Sequence, residues 1–152
     1  MLDRGGTVEF FGSSLVVATQ RRFADIPTVQ RYADWVLGLP AVRQRFPDLP
    51  RVLVRERRGR RRAHYACPDP VIAIPMDVIW AGRESVLLHE LAHHVRCCGF
   101  EDPQWPLHSR GFAATMVWLV DAAMGPEQAL LLSASFSANG VVPAAEDRDD
   151  GG

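Results

Sequence analysis

Arg83-Glu84-Ser85-Val86-Leu87-Leu88-His89-Glu90-Leu91-Ala92-His93-His94-Val95-Arg96-Cys97-Cys98-Gly99 is the stretch on which the reading of this chain turns. Val86, Leu87, Leu91 and Val95 recur at helical spacing, no Pro or internal Gly interrupts them, and Gly99 stands where a helix would stop. Within that helix lies His89-Glu90-Leu91-Ala92-His93, the pattern HExxH. Side chains four apart share a face one turn above each other, so both imidazoles can reach a single metal ion. Zinc suits imidazole nitrogen, and a catalytic zinc takes three protein ligands and leaves its fourth position to water. Glu90, next to the first histidine, is then the expected general base for that water and the only expected catalytic residue.

A third ligand is needed. The extended spacing HExxHxxGxxH is absent, which excludes the compact metzincin arrangement. Glu101 and Asp102 follow the helix too closely for an easy return to the metal. His108 comes after a loop with two prolines and opens the next apolar segment, so the expected metal ligands are His89, His93 and His108. Glu101, Asp102 and Cys97 stay open as alternatives, Cys97 because positions 89, 93 and 97 form one stripe. It reads first as a small buried hydrophobe. His94 points roughly 140° away from His89 and reads as a supporting or core-edge residue.

Outward from the motif, the apolar pattern changes period. Val8–Phe11 and Leu15–Thr19 are β-prone runs around Gly12-Ser13-Ser14, a hairpin signal. Pro27 opens a helix with Val29, Tyr32, Ala33, Val36 and Leu37 on one face, stopped by Gly38 and Pro40. Val52–Arg57 and Arg61–Ala66 read as two strands about a tight turn at Arg58-Gly59-Arg60. Val71–Ile74 reads as a third strand, offered as the sheet edge on which an extended substrate pairs. After the HExxH helix come a helix from His108 or Ser109 to Gly125 and a last one over Glu127–Ala138. The expected class is α+β, a small and mostly antiparallel sheet packed on the HExxH helix and further helices. One domain is expected over 1–143, with an acidic tail over 144–152.

Composition narrows the classes. In 152 residues, 47% are hydrophobic and 23% charged, which suits a packed core rather than a disordered chain. Seventeen basic residues, all Arg, stand against eighteen acidic ones, and a net charge of -1 argues against a generally basic nucleic-acid binder. Arg55, Arg57, Arg58, Arg60, Arg61 and Arg62 do cluster at the expected hairpin tip. Without interleaved aromatics they read first as a solvated turn, and nucleic acid is the less favoured partner. No apolar run is long enough to cross a bilayer, since the longest, Phe112–Met124, is cut by Asp121. The N-terminus lacks the form of a signal peptide. Three cysteines, Cys67, Cys97 and Cys98, have no CxxC spacing and read as reduced thiols, which together place the chain in the cytoplasm.

Leu87-Leu88-His89-Glu90-Leu91-Ala92-His93-His94 followed by His108-Ser109-Arg110-Gly111-Phe112 resembles a family of small bacterial metallohydrolases of the minimal-zincin type, similar in turn to the SprT-like zinc proteases. The resemblance takes in Arg22-Phe23, Val29-Gln30-Arg31-Tyr32, His64-Tyr65 and Met124-Gly125-Pro126-Glu127, and so most of the chain from about Arg21 to Val142. It implies a zincin fold, Zn²⁺ on His89, His93 and His108, and Glu90 as base. Relatives often carry Gly-Pro-Glu where this chain has Ser109-Arg110-Gly111, which bears on the shape of the cleft. The expected activity is a zinc-dependent hydrolase, a metallopeptidase acting on a peptide or protein substrate. The alternative from another class is a non-catalytic, zinc-stabilised binding module that contacts nucleic acid through the Arg-rich segment.

Overall fold

A computed structural model describes residues 2–10, 13–78, 83–100, 110–138 and 140. Strand β1 (Leu2–Phe10) pairs antiparallel with β2 (Ser13–Arg21), Phe10 opposite Ser13 and Leu2 opposite Arg21. Ser13 and Ser14 therefore belong to the second strand rather than to a turn. Helix α1 (Ile26–Leu37) follows, and its start is locally encoded. The Asp25 carboxylate accepts from the Thr28 amide at 2.9 Å and the Thr28 hydroxyl at 2.6 Å, and Pro27 fills a first-turn position that needs no amide hydrogen. The buried face of α1 is Val29, Tyr32, Ala33, Val36 and Leu37, the stripe its sequence marks out. Gly38 ends it, and a short helix, α2 (Pro40–Arg45), adds an element that the pattern of apolar residues does not announce.

The second sheet corrects the sequence reading. Its strands are β3 (Leu53–Glu56), β4 (His64–Ala66) and β5 (Val71–Ile74), in the spatial order β3-β5-β4. β3 runs parallel to β5, and β4 antiparallel to it, so the sheet is mixed rather than mostly antiparallel. β3 and β4 are not partners in a hairpin, although Gly59, with φ of 75°, does turn the chain between them. β5 is the central strand. Ile72, Ala73 and Ile74 are all buried, as expected of a strand paired on both sides. The expectation that Val71–Ile74 forms the edge is thus overturned. A strand with hydrogen-bonded neighbours on both sides has no free backbone for a substrate.

Helix α3 (Glu84–Gly99) is the axis of the molecule. It packs against α4 (Arg110–Met124), α1, β2 and β4, and twelve of its sixteen residues are buried, so it is enclosed on nearly every side. Leu87, Leu88 and Leu91 are fully buried and contribute roughly 1.5–3 kcal/mol each by leaving water. Its start is tied to the first hairpin by a backbone bridge between Arg22 and Arg83, and Tyr32 of α1 donates a hydrogen bond to Glu84. At its other end Gly99 is required for a reason other than a left-handed cap. A Cβ there would lie 2.8 Å from the Phe46 ring, which itself packs edge-on against Phe100 and Trp118. Helix α5 (Pro126–Ala138) reverses from α4 at Gly125, whose φ of 103° suits glycine, and buries Ala129, Leu132 and Phe136. The coarse α+β class stands.

Candidate metal centre

Two faces of α3 carry its polar chemistry. On one, His89 and His93 stand one turn apart with ring centroids 4.9 Å from each other and planes at 81°. His89 is buried and His93 half-exposed. Phe112, in the first turn of α4, packs on both, at 5.1 Å from His89 and 4.4 Å from His93. This apolar lid limits the rotamers open to each imidazole and brings the start of α4 to the histidine pair. Gly111 allows that approach: a Cβ there would meet Arg96 Nη2 at 2.7 Å. Arg96 is itself buried, donating to Thr115 Oγ1 at 3.3 Å and lying 4.2 Å over the Phe100 ring. The Gly at position 111 thus has a packing role in this chain.

Glu90 is buried at 7% exposure. Loss of water from around its carboxyl pushes the pKa up to about 7, against the opposing pull of the Arg57 charge. A carboxylate poised there is half ionised at neutral pH, where a proton acceptor is most effective. Arg57 is the functional neighbour that sequence reading places elsewhere, among the solvated arginines. Its half-buried side chain donates to the Arg62 carbonyl at 2.7 Å, while Arg55, Arg58, Arg60, Arg61 and Arg62 are exposed. The backbone amide of Arg57 donates to the Ile74 carbonyl at 2.9 Å, which continues the β3–β5 ladder and sets that arginine at its end.

On the opposite face, His94 is fully buried. One ring nitrogen, Nε2, lies 2.7 Å from the Pro50 carbonyl, which can only accept, so Nε2 carries the hydrogen. Burial holds the ring's pKa below the usual histidine range, with the Pro50 hydrogen bond opposing. Nδ1 of the neutral ring is then the acceptor for the Tyr65 hydroxyl at 2.8 Å. Burial and Cys98 push the Tyr65 pKa up, so the phenol keeps its proton. His94 is therefore a core residue, not an edge one. Tyr65 spends its hydroxyl on His94, so it has no hydrogen left for an oxyanion, while the neighbouring His64 is exposed.

The cysteines depart from expectation. Cys67, just after β4, and Cys97, in the last turn of α3, are joined in a disulfide across 30 residues of sequence. Cys97 is thus not a small apolar filler, and the pair could not be read from spacing because the β4–β5 turn folds onto the helix only in the tertiary structure. Cys98 is the free thiol, half-buried, 3.6 Å from Tyr65 Oη. His108, like Glu101 and Asp102, lies outside the described residues, as does the segment 144–152. Among the described residues, no helix is long and apolar enough to cross a membrane. Comparison of the chain with family models, with curated proteins and with solved structures finds no match.

Proposed function

We propose that this chain is a zinc-dependent hydrolase of the minimal-zincin type, acting on peptide bonds, with His89, His93 and His108 as metal ligands and Glu90 as general base. The observation that carries the reading is the pairing of two imidazoles one turn apart with a buried carboxyl whose pKa lies at about 7. The donor set fits zinc, which favours imidazole nitrogen. His108 precedes the first residue of α4 by two positions, and Phe112 holds the first turn of that helix on both histidines. A bound zinc would supply Lewis acidity and bring the pKa of water down to about 7.

The protein's own groups do the rest. His89 and His93 fix the position of the metal, and Phe112 keeps their rings oriented and bulk water away from one side. Glu90 accepts the proton of the attacking water and returns it to the departing amine, so no net proton is consumed by the enzyme. The Arg57 charge favours the ionised, proton-accepting form of Glu90. An extended substrate pairs with β4, because β5 is internal and the far side of β3 is occupied by Gln30.

Glu90→Gln tests the reading. It keeps size and shape but cannot take a proton, so the variant should retain zinc and fold while cleavage of peptide pools falls by about 10²–10⁴-fold. Equal turnover in wild type and variant would remove the hydrolase assignment. Loss of zinc in the variant would make Glu90 a ligand rather than a base. For the third ligand, His108→Ala should lower zinc affinity steeply, and unchanged affinity would move that role to Glu101 or Asp102.

A further inference from the structure

Three sulfurs meet at the C-terminal end of α3, on a different element pair from the histidine centre. Cys97 and Cys98 come from the last turn of the helix and Cys67 from the chain just after β4, and the three Sγ atoms all lie within 4.8 Å of one another. Cys67 is exposed, so the cluster is open to ions and to reductants. We infer that, once the Cys67–Cys97 bond is reduced, Cys67, Cys97 and Cys98 form a thiolate site for a thiophilic divalent cation of the zinc type, separate from His89 and His93.

Geometry and charge both favour a cation here. Zinc–sulfur bonds of about 2.3 Å in a tetrahedral site put neighbouring sulfurs roughly 3.8 Å apart. Cys98 Sγ already lies within 4.8 Å of the other two, and the bonded Cys67 and Cys97 sulfurs separate toward that spacing once reduced. The Cα atoms of Cys67 and Cys97 are 6.8 Å apart, at the wide end of what a disulfide spans, so a longer sulfur–metal–sulfur bridge needs no approach of the backbones. The last turn of a helix presents unpaired carbonyls and a partial negative charge, which disfavours bare thiolates and favours a cation that neutralises them. Tyr65 Oη, whose hydrogen goes to His94, lies 3.6 Å from Cys98 Sγ and accepts from that thiol, a contact given up when the metal takes the proton's place.

The chemistry balances in two steps. A dithiol reductant passes two electrons and two protons to the disulfide: the sulfur–sulfur bond breaks, two thiols form, and the reductant leaves as its own disulfide. Zn²⁺ then forms three bonds to sulfur, and up to three thiol protons go to solvent. Exchange with an oxidised low-molecular-weight disulfide, which takes up the two electrons and leaves as two thiols, would restore the Cys67–Cys97 bond and release the ion.

The test uses a His89→Ala/His93→Ala chain, which lacks the histidine centre, reduced with a dithiol that is then removed. Titration with Co²⁺ should give sulfur-to-cobalt charge-transfer absorption saturating near one equivalent, displaced by Zn²⁺. Cys67→Ser or Cys98→Ser in that background should weaken binding by more than about tenfold. The unreduced protein should show no such absorption. Should the double variant fail to fold, the reduced wild type serves instead, and its metal content should fall by about one equivalent in Cys67→Ser/Cys98→Ser. Absence of the sulfur band in reduced protein, a band untouched by either serine, or a band found only in a metal-bridged dimer would each overturn the site. None of these readouts depends on hydrolysis or on His108.

Discussion

His93 and His94 are neighbours in sequence and opposites in physics. The face of α3 that carries His93 meets Phe112 and retains contact with solvent. The face that carries His94 meets Pro50 and Tyr65 in the core, and both of its nitrogens are spent inside the protein. Helical geometry alone separates them, since one residue turns the side chain by about 100°. The lesson is that a single residue step along a helix can carry a histidine from a half-exposed site to a fully buried one.

The strongest test of that contrast is stability. His94→Ala leaves the Pro50 carbonyl and the Tyr65 hydroxyl without their partner and opens a cavity, at a cost of about 4 kcal/mol in chemical unfolding. His93→Ala in metal-free protein should cost less than about 1 kcal/mol, because a half-exposed ring buries little. Equal costs would erase the distinction.

The pH dependence should show Glu90 and His94 pulling in opposite directions. Glu90 in the folded, metal-free chain has its pKa raised to about 7 from an ordinary 4.5, so the folded state binds the proton more tightly than the unfolded state. Stability from this group is greatest below about pH 4.5 and falls as pH rises to about 7, by up to about 3 kcal/mol. Glu90→Gln should abolish that fall and be the more stable protein above pH 7. His94 has the opposite sign. Its folded pKa is lowered, so the unfolded chain takes up the proton first and stability is lost as pH drops below the ordinary 6.5. Unfolding midpoints of His94→Asn and Glu90→Gln against pH separate the two slopes, and parallel profiles would refute the assignment. A more modest effect belongs to Tyr65→Phe, which removes one hydroxyl from the His94 chain and should cost about 1 kcal/mol.

What could be read from the sequence was what is decided locally. The buried stripe of α1, its Asp25-Pro27 start and the HExxH spacing depend on residues within a turn or two of each other. The angle that sends His94 away from His89 is equally local. What escaped is set by contacts between distant segments. Arg58-Gly59-Arg60 does turn the chain, but β5 inserts between the two strands it connects, and no property of residues 52–66 announces that. Cys67 with Cys97, Arg57 beside Glu90, and Tyr65 with His94 are each separated by some thirty residues. All follow from where the sheet docks on α3 through β4. The short helix α2 was hidden because only Val42 of it is buried, which leaves no apolar period to read.

Gln30 deserves a last consideration as a piece of chain that imitates another. Its side-chain amide donates to the Val52 carbonyl at 3.0 Å and accepts from the Val54 amide at 2.8 Å, with Nε2 also 3.2 Å from the Asp34 carboxylate. That pair of bonds is what one peptide unit of an adjoining strand would make with β3. A side chain, unlike a strand, has no second row of amides to offer. The β3 border of the sheet is therefore sealed against self-association between molecules, which leaves growth by strand addition to the β4 border alone. Gln30→Ala would reopen that border to edge-to-edge pairing between molecules.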